Sequence, residues 1–489
     1  MRPSLELLDQ SGIAQAVGEA MELLREPGIR VRDKRVLKLL ASSGAKVAEG
    51  VARIPEALVE RALRSVPREF YLYDRAGQAT VRYGGDAVQF DPGSSCVNIL
   101  DAETQQPRPA RTSDLVRLVQ IAEVLPQYAA QSTAVVCSDV PPALGDLYRL
   151  FLVLWHSSKP IVTGAFGAET LAAMLKLLEA DAGQREILQE RPRAIFDVCP
   201  SSPLNWSEFG AENLVDLARA AVPAEIVPAP MAGATSPVTL AGTVAQHTAE
   251  CLSGIVIHQM ARAGAPVVWG GAPAIFDMRT GATPWGAMET AMLSVACAQV
   301  GKHLGVPTHA YLVTSDAKSM DAQCGLESGA SAVLGALAGI NMISGAGMLE
   351  SLSCHSAEKL AMDADAIAMA QRLVQGITAA STPSAPAMVR EAEARGGFLK
   401  LEATRKLFRQ EQFMPSEILD RGPVRPLDAR ATDAFARARQ RVRELEKAYQ
   451  RPSVSPALER AWLDIVEPAA HSAGLQELPG IEMPTAPRL

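Results

Sequence analysis

Between Pro307 and Lys359 the chain gathers groups that could do chemistry. Thr314-Ser315-Asp316-Ala317-Lys318 is a polar loop straight after the apolar run His309–Val313. Asp316 and Lys318 either pair with each other at the surface, the common fate of such charges, or serve a site. Gln323 and Glu327 follow at helical spacing on one face of a stretch otherwise built of Gly, Ala and Ser. That company sets Glu327 apart from a merely solvated charge. Asn341 lies inside the next apolar run, as a satisfied core amide or as a ligand facing a lumen. His355 follows that run as a weaker candidate. Trp269 ends another apolar run in a chain that is only 5% aromatic. An indole face there either attracts a cation such as a quaternary ammonium or plugs a rim. His247 and Glu250, with Cys251, have a spacing that can ligate metal, but no third and fourth ligand stands in register, so a polar outer face is expected. Gly345-Ala346-Gly347 is weak ground for a phosphate site. No P-loop, HExxH or nucleophile elbow is present. The chain offers no nucleophile of its own, so the reactive group comes from substrate or partner.

These groups need a scaffold, and the period of the chain supplies one. Apolar, β-branched-rich runs recur at Ala87–Phe90, Ser132–Cys137, Pro160–Thr163, Ala194–Cys199, Glu225–Ala229, Pro266–Trp269, Thr308–Val313 and Ile340–Ser344. Helical stretches separate them: Ser113–Val124, Leu144–His156, Thr170–Leu178, Glu208–Ala221, Thr243–Ala263, Trp285–Leu304 and Met320–Ala338, with another from Ser356 to Gly376. That count predicts an α/β fold, a (β/α)8 TIM-type barrel, with a doubly wound sheet as the competitor. In a barrel the residues after each run converge on one mouth. They are Asp91, Asp139, Phe166, Pro200-Ser201-Ser202, Met231, Trp269-Gly270-Gly271, the Thr314–Lys318 loop and Gly345-Ala346-Gly347. Residues 1–86 read as a cap, with helices over Gln15–Arg25, Arg35–Ser42 and Pro55–Ser65 and a hairpin from Phe70–Asp74 and Thr80–Tyr83. The barrel is expected over 87–380. Residues 381–489 are expected to hold a charged helix near Ala429–Gln450 and a Pro-rich tail from Pro452, packed on the barrel or on a second subunit.

Bulk properties narrow the class. At 489 residues and 48% hydrophobic content the chain can bury a large core. Its net charge of −7, with no concentrated basic segment, disfavours nucleic acid. No apolar run is long enough to span a membrane, and the opening MRPSLELLDQSG has no apolar signal-peptide core. Seven scattered cysteines without a CxxC pair read as reduced thiols of a cytoplasmic enzyme.

Several stretches carry a family likeness: LLREPGIRV at 23–31, ILDAETQQPRPARTSDLVRL at 99–118, SSKPIV at 157–162, SDAKSMDAQCGLES at 315–328 and ALAGINMISGAGMLES at 336–351. Over about residues 15 to 450 the chain resembles the trimethylamine methyltransferase superfamily, the corrinoid-dependent amine demethylases. The resemblance implies an α/β barrel and transfer of a methyl group from a methylated amine to cobalt(I) of a separate corrinoid protein. No permanently bound cofactor is implied, and a homo-oligomer is expected. The founding enzymes carry pyrrolysine, whereas all residues here are standard. The chain therefore looks like the non-pyrrolysine branch, whose best-known substrate type is the quaternary amine glycine betaine. On that likeness Trp269, helped by Phe166 or Phe90, would form part of a cage around the trimethylammonium group. Lys318, Asn341 and either Gln323 or His355 would hold a betaine carboxylate, and Asp316 or Glu327 would balance the ammonium charge. The alternatives are a barrel enzyme of another class, a lyase or folate-linked methyltransferase, and a non-catalytic betaine-binding relative.

Overall fold

Each of the eight apolar runs forms a short parallel strand in a computed structural model that describes residues 2–377, 382–423 and 433–481. The strands are β1 (Gln89–Pro92), β2 (Gln131–Ser132), β3 (Ile161–Gly164), β4 (Ala194–Val198), β5 (Ala224–Ile226), β6 (Val267–Trp269), β7 (His309–Tyr311) and β8 (Met342–Ala346). Helices follow them as α1 (Thr112–Val124), α2 (Gly145–His156), α3 (Ala168–Ala182), α4 (Glu208–Ala220), α5 (Leu240–Ala261), α6 (Met288–His303), α7 (Ala322–Ala338) and α8 (Ala357–Val374). β2 to β6 pair in chain order, as do β7, β8 and β1. The ring closes through a Trp269–Thr308 bridge between β6 and β7 and through the Ala129 amide, which donates to the Phe90 carbonyl at 2.9 Å. The structure is therefore a (β/α)8 barrel. β2 is shorter than the apolar run at 132–137 because the backbone from Thr133 onward pairs with the loop after β1: the Ser95 and Cys96 amides take the Thr133 and Ala134 carbonyls.

Alternation along each strand decides what reaches the lumen. Val162, Ile195, Val268 and Met342 point inward and meet Leu72, Val81 and Tyr83 in one buried cluster. The last three belong to the hairpin Phe70–Tyr73 and Ala79–Tyr83, which stoppers the amino end of the barrel. Tyr83 stacks on Phe70 with ring centroids 4.9 Å apart. One residue along, Phe90, Phe196, Ile226 and Trp269 join the core beneath the helices.

Three helices, Gln10–Arg25, Lys34–Ser43 and Glu56–Ser65, pack on α5. A small sheet including Ile29–Val31, Lys46–Ala48 and Val51–Arg53, absent from the sequence reading, ties them together. Behind the barrel, Ala434–Ala448 packs on α8 and α1, and Pro456–Ser472 on α2 and α3. The latter is a helix where a Pro-rich tail was expected. Pro456 sits at its first position, where a missing N–H costs nothing, and Trp462 is buried under it. The expected boundary at 380/381 and the first residues of the helix expected from Ala429 lie outside the described residues. Among the described residues no helix is long and apolar enough to cross a membrane.

Candidate functional site

Directly above the apolar stopper the lumen turns polar. Asp197 of β4 and Glu225 of β5 are register partners, so their side chains share the lumen face and stand close enough to share a proton. Tyr83 Oη donates to Glu225 Oε1 at 2.7 Å. Tyr311 of β7 donates to Asp197 Oδ2 at 3.1 Å and meets Ser94 Oγ at 3.0 Å. Ser344 of β8 donates to Asp91 Oδ1 of β1 at 2.5 Å, and His309 Nε2 lies 3.0 Å from Ser344 Oγ. With the serine proton on Asp91, His309 donates from Nε2, and its Nδ1 stands 3.6 Å from Glu225 Oε2.

The electrostatics of this layer are one-sided. Burial pushes Asp91 and Glu225 well above the usual carboxylate range and Asp197 up to about 6. Burial also drops His309 to about 3, so its ring is neutral. The groups acting most strongly on the three carboxyls are one another, Tyr83, Tyr311 and Ser344, and no lysine or arginine is among them. Asp91 Oδ2 and His309 Nδ1 stay without a hydrogen-bond partner, and Asp197 Oδ1 and Glu225 Oε2 have none beyond the proton that the two carboxyls can share. A buried acceptor left unpaired costs about 1–3 kcal/mol, so such a set is a cradle for something positive. Asp197 and Tyr311 are partly exposed, as is Gly164, the register partner of Asp197 on β3. A Cβ added at Gly164 would rest 3.6 Å from the Asp197 carbonyl oxygen, so the missing side chain leaves the way to the cluster open.

The residues expected to line the site lie elsewhere. Trp269 and Phe90 face the helices and are buried there, Trp269 beside His247 at a ring separation of 6.0 Å. A one-residue difference in strand phase removes both from the cage assigned to them. Phe166 is on the mouth side but lies open to solvent, with the Arg149 guanidinium 5.9 Å from its ring centre. Asn341 is at the opposite end of the barrel. Its amide donates to the carbonyls of Gly84, Gly85 and Ala87, and its oxygen accepts the Thr308 amide. It ties the hairpin to the floor and is withdrawn as a carboxylate ligand.

Asp316, Lys318, Gln323 and Glu327 do come together, on the rim outside the lumen. Glu327 accepts from Ser315 Oγ at 2.6 Å, the Asp316 amide at 2.8 Å and Gln323 Nε2 at 2.9 Å. Asp316 takes the amides of Trp285 and Gly286 at 2.9 and 2.8 Å, and burial raises its pKa in spite of them. The cluster therefore fixes the loop before α6 against the loop after β7. Lys318 is exposed, with Nζ on the Asp316 carbonyl at 2.6 Å. His355 is buried against Gly347, and burial lowers it to about 3. The Gly345-Ala346-Gly347 turn gives a phosphate no room: a Cβ at Gly345 would stand 2.3 Å from the Leu312 carbonyl, and the Gly347 amide already serves Asp363. His247, Glu250 and Cys251 are fully buried under the collar, not on an outer face. Glu250 holds Ser202 Oγ and the Leu204 amide.

A family model described as trimethylamine methyltransferase (MTTB) matches residues 1–474. The chain belongs to that family. It is 31% identical over 466 residues to trimethylamine methyltransferase MttB2 of Methanosarcina mazei, covering 92% of each chain. It is 30% identical over 403 residues to trimethylamine methyltransferase MttB of Desulfitobacterium hafniense, covering 82% of this chain and 81% of that one. To the glycine betaine methyltransferase of Desulfitobacterium hafniense it is 27% identical over 459 residues, covering 94% of this chain and 95% of the relative. This MTTB-family chain is thus a methyltransferase. Its lumen residues had a signal that the aromatic search passed over. Asp197 and Glu225 are single charges inside otherwise apolar strands, AIFDV and AEI, where an unpaired charge is expensive.

Proposed function

We propose that this methyltransferase takes one methyl group from a quaternary ammonium seated in the lumen and passes it, at the open mouth, to the corrinoid of a separate protein. The observation that supports it is the buried carboxyl layer of Asp91, Asp197 and Glu225, whose oxygens accept from few donors and have no lysine or arginine among the groups acting most strongly on them. A quaternary nitrogen leaves as a neutral amine when it gives up a methyl, keeping the electron pair of the broken C–N bond. The corrinoid, in its reduced cobalt(I) form, supplies the electron pair that takes the methyl. The chain itself then needs neither acid nor base. Asp197 and Glu225 hold the positive nitrogen, Tyr83 and Tyr311 orient those carboxyls, and the hairpin beneath bars water from below. Holding the reactants in line supplies about 7–11 kcal/mol in favourable cases. Exposed apolar side chains on the mouth loops and the first turn of α7, Val97, Phe166, Met278 and Leu326, suit a surface that a partner covers.

The test is to mix the chain with a reduced cognate corrinoid protein and tetramethylammonium, choline or glycine betaine, and to follow methylation by absorbance. Methylation with at least one of them is expected, and none with all three overturns the proposal. A Gly164→Val variant is expected to bind the accepted cation at least tenfold more weakly while melting within a degree or two of the parent. Gly164 has ordinary backbone angles and its added Cβ meets only van der Waals contacts, so the new methyls project over Asp197. Unchanged affinity would move the entrance elsewhere.

A further inference from the structure

The resemblance to betaine enzymes assigns the substrate a carboxylate, and the lumen gives that group nothing to hold. Lys318 lies on the outer rim, bound to a carbonyl, and Asn341 lies at the far end of the barrel. Lys359 is committed to Asp363 at 2.6 Å, the Val313 carbonyl and Ser328. Arg149, beneath Phe166, is paired with Asp146 at 2.8 Å and bonded to Ser95 and the Thr133 carbonyl; its Nε has no partner but is buried. Against these stand Asp91 and Glu225, both almost fully buried, Asp91 with one carboxyl oxygen that has no partner and Glu225 with one that meets only Asp197, and beside them the Nδ1 of a neutral His309. Of the three carboxyls Asp197, raised only to about 6, is the one that is ionised near neutral pH, and no lysine or arginine is among the groups acting most strongly on it. A betaine that put its nitrogen beside Asp197, ionised at pH 7.5 with a pKa of about 6, would bring its own carboxylate to within a few ångströms of that charge, where like charges repel strongly in a partly dehydrated space.

We infer that the lumen selects an onium cation that carries no carboxylate, a tetraalkylammonium or a choline-type alcohol, over a zwitterionic betaine. This selectivity rests on the reading of the lumen as the methyl-donor site, and it specifies the charge class of the donor. Tyr311 and Ser94, at the mouth side of Asp197, offer hydroxyl groups that a substrate alcohol can meet. The groups facing Asp197 are Glu225 of β5, Asp91 of β1, Tyr311 of β7, Cys199 beyond β4 and Tyr83 of the hairpin. All are neutral or negative, so raising the pH can only make the lumen more anionic and sharpen the preference.

Calorimetric titration of the purified chain, with no corrinoid partner present, tests this directly. At pH 7.5 tetramethylammonium or choline is expected to bind at least tenfold more tightly than glycine betaine. The ratio is expected to shrink severalfold in Asp197→Asn, and also in the unaltered protein at pH 5.5, a readout that needs no variant to fold. Betaine binding as tight as choline at pH 7.5 overturns the inference, and so does a preference that neither the variant nor the pH moves. No binding of any of the three overturns it together with the proposed function. A retained preference without methyl transfer to a competent partner overturns the proposed function alone.

Discussion

Glu225→Gln is expected to weaken binding of the accepted onium roughly tenfold and, in the same variant, to raise the melting temperature at pH 8 by a few degrees. Glu225 is fully buried, with Tyr83 on one oxygen and only Asp197 and the neutral His309 beside the other. A carboxylate about 5 Å from a cation at an effective dielectric near 20 contributes about 3 kcal/mol, but the buried acid must first give up its proton, which offsets part of this and leaves roughly tenfold in affinity. The loss is expected in KM and not in kcat. The substrate charge is leaving as the methyl departs, so a group that stabilises the cation stabilises the bound substrate at least as well as the transition state. The stability change has the opposite sign for a definite reason. Burial holds the folded-state pKa of Glu225 above its unfolded value, so the folded protein binds more protons and loses stability as pH rises from about 4.5 upward. Gln removes that penalty, its amide can donate towards the unpaired oxygen of Asp197 and Nδ1 of His309, and its oxygen can still accept from Tyr83. The gain should therefore be present at pH 8 and vanish near pH 4. Affinity measured by calorimetry beside thermal melts at both pH values checks it. A variant that loses stability at pH 8 and keeps its affinity would make Glu225 a structural acid.

Strand existence was legible because most barrel strands are runs of apolar, often β-branched residues closed by Gly, Pro or a polar loop, and the polar β1 and β2 adjoin or overlap such runs. The helices between them carry the longer period. The direction in which a given strand residue points was not legible. Val267-Val268-Trp269 is apolar at every position, so no alternation of polar and apolar residues marks the phase, and a phase error of one residue exchanges lumen for helix layer. The rim cluster of Asp316, Lys318, Gln323 and Glu327 was found as a group because loop and helix spacing are local facts. Its function as a brace between two loops was not, since that depends on the amides of Trp285 and Gly286, distant in the chain. The helix Pro456–Ser472 was hidden by its prolines, one at its start and Pro468 inside it. The carboxyl layer needed a different search, for charges where the pattern forbids them, not for aromatic rings where cations are welcome.

Trp269→Ala is expected to cost about 3–5 kcal/mol of stability, measured by urea unfolding, and to leave onium affinity at 25 °C within twofold of the parent. The indole is 1% exposed and belongs to the large core between the barrel and its helices. Gly301 of α6 faces it so closely that a Cβ there would stand 2.7 Å from the ring, and His247 of α5 packs beside it. Removing it empties a volume that two helices cannot collapse into without breaking their seat on β5 and β6. Its Nε1 has no partner, so the substitution gives up no hydrogen bond and the loss is one of packing alone. The neighbouring lumen residue, Val268, keeps its place in the cluster above the hairpin, which insulates the carboxyl layer from the change. A variant of unchanged stability whose affinity for tetramethylammonium and choline collapses would return the indole to the cation. It would also require β6 to be turned by one residue from the phase that puts Val268 in the lumen.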